Sequence, residues 1–274
     1  MANFHVVAGG GEAFERPAIR KIGFSDVISA LRLGIDDFWE KPSHYVFLCL
    51  IYPIVGVVLA RWTSGNNALP LLFPLMSGFA LIGPIAAIGL YEISRRREAG
   101  LDTSWSHAFE VRNSPALPSV IGVGLWLFAL FITWLLVAQA LYTSLFGPAA
   151  PTSLSTFLHE VFTTDHGWTL IVVGNLVGLG FAIVALATTV IAFPLLLDRD
   201  VGAFAAIDAS VRATVANPLP IALWGLIVAV GLVIGSLPLF AGLAVVIPIL
   251  GHATWHLYRK TVAPVSKANK PMGR

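Results

Sequence analysis

Four long stretches of this chain contain no Asp, Glu, Lys or Arg. They lie between Arg61 and Glu92, Arg112 and Glu160, Asp165 and Asp198, and Arg212 and Arg259, and a shorter one separates Lys41 from Arg61. Charge that is absent over so many consecutive residues cannot come from an ordinary water-facing surface. Only 12% of the 274 residues are charged and 57% are hydrophobic, against about 25% charged in an average soluble domain. Mean hydropathy is +0.81. These figures argue against a soluble enzyme and against a disordered chain, which needs low hydrophobicity. A net charge of +2 leaves no basic footprint for nucleic acid. The chain reads as an integral membrane protein.

A membrane-spanning helix needs about 20 apolar residues, because each rises about 1.5 Å through a hydrocarbon core about 30 Å thick. By that measure the charge-free stretches predict six spans, at about 43–62, 69–91, 117–141, 168–197, 219–236 and 237–258. The fifth and sixth meet at Gly235-Ser236-Leu237-Pro238, a turn tight enough to require an antiparallel hairpin. Backbone in lipid must satisfy its own hydrogen bonds. The runs are apolar on every side and lack the alternation of barrel strands, so the expected fold class is an all-α polytopic membrane protein.

Orientation follows from the basic residues. The N-terminal tail carries Arg16, Arg20, Lys21, Arg32 and Lys41, and the successive even-numbered loops carry Arg95, Arg96, Arg97 and Arg112, then Arg199 and Arg212. The C-terminal tail carries Arg259, Lys260, Lys267, Lys270 and Arg274, whereas the other side of the bilayer receives Arg61 alone. Lys and Arg collect on the cytoplasmic side. The expectation is a bacterial inner (cytoplasmic) membrane protein with both termini cytoplasmic: tails at 1–23 and 261–274 and a membrane domain at 24–260. Residues 1–14 lack a basic start and an apolar run, so the first span is expected to direct insertion itself. The one cysteine, Cys49, lies within that span and reads as a packing residue.

Each pair of spans follows an amphipathic segment. In 24–39, Phe24, Val27, Ile28, Leu31, Ile35 and Phe38 share one helical face, with Asp26, Ser29, Arg32 and Asp36 opposite, before Lys41-Pro42 breaks the helix. In 104–112, Trp105, Ala108 and Phe109 share a face before Ser114-Pro115; in 200–215, Phe204, Ile207 and Val211 do so before Asn217-Pro218. The return spans carry late prolines, Pro84, Pro194 and Pro248, and then basic residues. From proline to arginine is eleven residues in the first and third units but five in the second, so the threefold repeat is approximate. Amphipathic helices of this kind lie at the membrane interface, as a platform or a docking surface for a partner. Gly174-x-x-x-Gly178 and Gly231-x-x-x-Gly235 permit close helix contact.

Chemistry-bearing residues are few. The span interiors hold no Lys, Arg or Asp, and Glu92 sits one turn before Arg95 and Arg96 as an interfacial pair. Buried polarity reduces mainly to Asn175, Gln139, Thr188 and Thr189. That argues against a charge-coupled pump, which needs ionisable groups in the membrane. His252 and His256 are spaced to share a helix face and are the candidate cofactor ligands. They form an incomplete zinc set with no neighbouring carboxylate in sequence, and helix packing is the competing reading. His159 and His166, with Glu160 and Asp165, are candidate metal ligands in an outer loop where Leu154, Phe157, Leu158 and Val161 predict a short helix. Solvated loop polarity is the simpler account of them. No nucleophile elbow, phosphate loop or dinucleotide fingerprint occurs.

Three stretches carry a resemblance: residues 77–100 (SGFALIGPIAAIGLYEISRRREAG), 193–207 (FPLLLDRDVGAFAAI) and 246–260 (VIPILGHATWHLYRK). Together they resemble an uncharacterised bacterial integral-membrane family, domain of unknown function two-one-eight-nine, over roughly 19–260. Some members of that family carry a label naming cytochrome c oxidase subunit I, which implies a respiratory association. The residues do not support oxidase chemistry. Haem and copper in such a core need several histidines on membrane helices. Here His5, His107, His159 and His166 are in tails or loops and His44 begins a span, leaving His252 and His256.

The reading is a non-enzymatic accessory, assembly or scaffold protein without a cofactor. Its partners are the lipid bilayer and another membrane protein complex, not nucleic acid. Two alternatives stand beside it: a permease or channel for a small neutral solute, with Pro84, Pro194 and Pro248 kinking helices around a path, and a haem or metal protein using His252 and His256.

Overall fold

The computed structural model describes residues 16–40, 56, 69–79, 83–104, 106–107, 112–149, 151, 153–238 and 242–264. The predicted first span, 43–62, with Cys49, His44 and Trp62, lies outside the described residues, apart from Gly56. So do Trp105, Ala108 and Phe109 of the second amphipathic segment. Among the described residues all regular structure is helical, with one isolated antiparallel bridge between Ile19 and Val262.

Among the described residues, three helical segments are long and apolar enough to cross a membrane: Leu117–Phe146, Asp165–Asp198 (α7 with α8 below) and Pro218–Ser236. They correspond to the third, fourth and fifth predicted spans. The first of them, α5 below, shows how an all-round apolar helix still acquires a packed side. Val120, Val123, Leu127, Phe131, Trp134, Ala138 and Tyr142 recur every three or four residues on its buried stripe, while Leu125, Phe128 and Leu136 are exposed. In water such exposure would be costly, whereas in lipid it is not, because lipid tails are as apolar as leucine.

In chain order the helices are α1 (Phe24–Glu40), α2 (Leu72–Phe79), α3 (Gly83–Ala86), α4 (Ile88–Glu98), α5 (Leu117–Phe146), α6 (Leu154–Thr163), α7 (Asp165–Thr189), α8 (Ala192–Asp198), α9 (Ala203–Ala216), α10 (Pro218–Ser236) and α11 (Leu243–Thr261). In the predicted second span, 69–91, the described residues form a 3₁₀ turn at Leu69–Leu71, α2, α3 and the start of α4, with a turn at Ala87 between the last two. Pro84 and Pro194 fall in the first turns of α3 and α8, where a missing N–H costs no helical bond. Pro248 sits inside the continuous helix α11. The sixth helix begins at Leu243, later than the predicted 237, because the chain turns through Pro238 and Gly242. A Cβ on Gly242 would stand 2.9 Å from the Gly235 backbone, so this turn needs glycine on both sides.

The most extensive contact is α1 against α11. It settles which residues of α1 are covered. The buried residues are Val27, Ala30, Gly34, Asp37 and Phe38, whereas Phe24 and Ile28 are exposed. Size explains the pattern: a Cβ on Gly34 would lie 2.5 Å from the Ala253 nitrogen, so only glycine lets the two backbones meet. Helix α9 behaves alike. It buries Ala203, Ala206, Ala209, Ser210 and Ala213, leaves Phe204 and Val211 exposed and Ile207 half-buried. In both helices small residues make the close contacts and several large apolar residues face outward, although α1 also buries Val27 and Phe38.

Residues 16–22 form a strap across this end of the bundle. Arg20 N donates to Thr261 O at 2.8 Å and Ala263 N to Ala18 O at 2.9 Å. Asn217, at the α9–α10 junction, accepts from Ile22 N at 2.8 Å and donates to Arg20 O at 3.0 Å. Helices α10 and α11 form, with Leu31 of α1, an open apolar groove of about 410 Å³ lined by residues such as Ile227, Val246 and Leu250.

Candidate functional site

The helix stripe that packs α1 also carries a carboxylate inward. Asp37 lies ten residues beyond Val27 on the buried face and is 6% exposed. Ser94 of α4 donates to Asp37 Oδ2 at 2.7 Å, and His256 Nε2 of α11 lies 3.0 Å from the same oxygen. Arg97, one turn after Ser94, pairs with Asp37 Oδ1 and with Glu40. One turn from His256, His252 Nδ1 stands 2.6 Å from Ser94 Oγ. Three helices distant in sequence thus meet at one buried carboxylate.

Proton counting gives the direction of each bond. The Ser94 hydroxyl has one hydrogen, which it gives to Asp37, so His252 Nδ1–H must donate to Ser94 and His256 Nε2–H to Asp37. Burial alone pushes the Asp37 carboxyl up. The hydrogen bond and charge of His256, the Ser94 hydrogen bond and the charge of His252 outweigh it and hold the group below its usual 3.8. The set contains the residue types of a hydrolytic triad but not its order: Asp37 holds the serine, and Ser94 is 1% exposed, so no substrate reaches the hydroxyl.

A second cluster joins the same helix ends. Glu98 of α4 accepts from Trp255 Nε1 at 3.0 Å and from Arg259 Nε at 2.9 Å, both on α11. Arg259 also faces Asp198 of α8 at 3.6 Å, and Tyr258 donates to that carboxylate. The ends of α4, α8 and α11 are therefore connected through Glu98, Arg259 and Asp198. Glu92 is buried and held in a two-pronged pair by Arg95, with both bonds at 2.7 Å. Lys260 faces Asp26 of α1 at 3.6 Å.

Other residues singled out in the sequence are not brought together. His159 and His166 are exposed, and the His166 ring meets Phe146 edge-on at 6.2 Å. Among the described residues no group of three or more His, Cys, Asp and Glu has the arrangement to hold a metal ion. Asn175 donates to Ile171 O of its own helix, and Thr189 donates to Ala185 O. Thr188 donates to Val184 O and accepts from Trp126 at 3.1 Å, while Gln139 is half-buried on α5. A Cβ on Gly178 would lie 3.1 Å from Trp134, one on Gly174 3.7 Å from Leu141, one on Gly231 3.2 Å from Val246 and one on Gly235 2.8 Å from Leu243. Both glycine pairs thus face neighbouring helices of the same chain.

Residues 72–198 match the DUF2189 family, described as predicted integral membrane protein. The DUF2189 match is narrower than the 19–260 over which the resemblance was read. It contains Ser94, Arg97, Glu98 and Asp198 but neither Asp37 nor the two histidines, so the buried network joins the DUF2189 region to helices on both sides of it. No curated protein and no solved structure matches the chain. Asp37, Ser94, Glu98 and Asp198 were not singled out from sequence. The signal available for Asp37 was its register on the stripe of Val27, Ala30 and Gly34.

Proposed function

We propose that this is a non-catalytic inner-membrane protein that serves as an accessory, assembly or scaffold component of a membrane complex. In this reading it has six spans, both termini in the cytoplasm, and three units of interfacial helix followed by a helical hairpin. The observation that supports the reading is the convergence of the polar groups on one carboxylate. Ser94, His256 and Arg97 all donate to Asp37, and Ser94 meets His252 in turn, where α1, α4 and α11 come together. Polar groups farther along the spans bond their own backbones.

Two further features support it. The ends of α4, α8 and α11 converge through Glu98, Arg259 and Asp198, as expected if each closes one unit. Helices α1 and α9 make their close contacts through small residues and turn Phe24, Ile28, Phe204 and Val211 outward, as interfacial platforms do. Extraction in mild detergent, followed by size analysis and identification of co-purifying proteins, tests the proposal. A defined complex of constant stoichiometry is expected. A protein that is solitary under every mild extraction overturns it.

A further inference from the structure

The bases at the helix ends are matched by acids: Arg95 by Glu92, Arg97 by Asp37 and Glu40, Arg259 by Glu98 and Lys260 by Asp26. The strap is different. Arg16, Arg20 and Lys21 are exposed, and among the described residues none of the three forms an ion pair. Lys21 donates to Ala216 O at the end of α9, and Arg212 donates to Pro17 O at 3.2 Å. This gathers the strap against the last turn of α9. Among the described residues, the carboxylate of α9 on that face is Asp208, already held by Arg212 at 2.9 Å. Positive charge is therefore in excess here.

Beside these bases runs an apolar stripe. Phe204, Val211, Val215 and Leu219 follow one another at helical spacing, with Val215 74% and Leu219 68% exposed. Pro218, between the last two, begins a helix long and apolar enough to cross the membrane. Apolar residues on a membrane helix with unpaired bases at its mouth match the two layers of a charged bilayer surface.

We propose that the face made by the strap and α9 binds acidic phospholipids. Phosphate groups lie at Arg16, Arg20 and Lys21, and acyl chains lie against Val211, Val215 and Leu219. The inference rests on the chain being a membrane protein, not on a scaffold role or on the side that faces the cytoplasm.

The test is selective lipid retention. Full-length protein is reconstituted in nanodiscs of phosphatidylcholine and phosphatidylglycerol, released into detergent, and its retained lipids are counted by native mass spectrometry. Wild type is expected to retain phosphatidylglycerol preferentially, and less so at high salt. The fold does not use the side chains of Arg16 and Arg20, so Arg16→Gln with Arg20→Gln keeps the thermal melt. It reduces the preference about fivefold for each base removed. Lys260→Gln, which removes a base already paired, leaves the preference unchanged. Equal retention of the two lipids by wild type overturns the proposal, as does a preference that survives in the double variant. A protein partner found seated on this face overturns it as well. A solitary protein that still selects phosphatidylglycerol supports it while counting against the scaffold reading.

Discussion

The Asp37 carboxylate and the His256 ring share a hydrogen bond of 3.0 Å across 219 residues of sequence. That bond, with those from Ser94 and Arg97, ties α1 to the ends of α4 and α11. The carboxylate is the common acceptor, so removing it leaves three donors facing one another. Asp37→Ala is expected to lower stability by about 2–3 kcal/mol, the range for a buried polar group stripped of its partner. Asp37→Asn, which keeps an acceptor but loses the charge, is expected to cost about half as much. Thermal unfolding of the three proteins in one detergent measures the order. An Asp37→Ala melt equal to wild type would show that the network holds nothing.

The same carboxylate sets an acid limit. Its folded value lies below the usual 3.8, so the folded state binds its proton more weakly than the unfolded chain does. The stabilisation is fully present above 3.8 and is lost as pH falls through the folded value. Wild type is therefore expected to lose melting temperature more steeply below pH 3.8 than Asp37→Asn. Parallel acid profiles for the two proteins would refute this assignment.

Contact between α1 and α11 depends on one missing side chain. A Cβ at Gly34 would meet the Ala253 nitrogen at 2.5 Å and its Cα at 2.7 Å, and backbone atoms cannot move aside alone. Gly34→Ala is expected to cost about 1–3 kcal/mol through overpacking, despite the better helix propensity of alanine. Hydrogen exchange distinguishes this from general unfolding: protection is lost along Phe24–Glu40 first, while Leu117–Phe146 stays protected.

The strap offers a sharper local test. Asn217 accepts from Ile22 N and donates to Arg20 O and to Ala213 O. Each such bond contributes about 1 kcal/mol net. Asn217→Ala should free residues 16–22 while sparing the spans. Trypsin is expected to cut after Arg20 and Lys21 at least tenfold faster in the variant. A cleavage rate unchanged from wild type would mean that the bridge between Ile19 and Val262 suffices.

What was legible in the sequence was local. Spans 117–141 and 219–236 were marked by charge-free length, and the helices there begin within one residue of the expected starts. The outer-loop helix was marked by the spacing of Leu154, Phe157, Leu158 and Val161. The contacts of α1 and α9 with their neighbours were not legible because apolar periodicity marks the large residues. In a membrane protein those can face lipid while Ala30, Gly34 and Ala206 make the contact. The network was illegible for another reason. His252 and His256 lacked a carboxylate nearby in sequence, and Asp37 stood beside Asp36 as one more charge on a helix of mixed polarity. Nothing local records that α1 lies along α11, since that proximity is created by Gly34 and Ala253.

The distribution of basic residues makes the last prediction. Sixteen Lys and Arg fall on one side of the six predicted spans and Arg61 alone on the other, a bias that directs insertion of the whole chain. A reporter active only in the cytoplasm is expected to work when fused to either end, and one active only outside to work within the 147–153 loop. Adding positive charge beside Arg61 should compete with this arrangement. Four lysines in that loop, together with Arg95→Gln, Arg96→Gln and Arg97→Gln, are expected to invert or mix the orientation of the first hairpin. Those arginines also pair with Glu92, Asp37 and Glu40, so the control keeps them and adds the lysines alone. If the ends report from opposite sides of the membrane in the wild type, the number of spans is odd and the six-span reading fails.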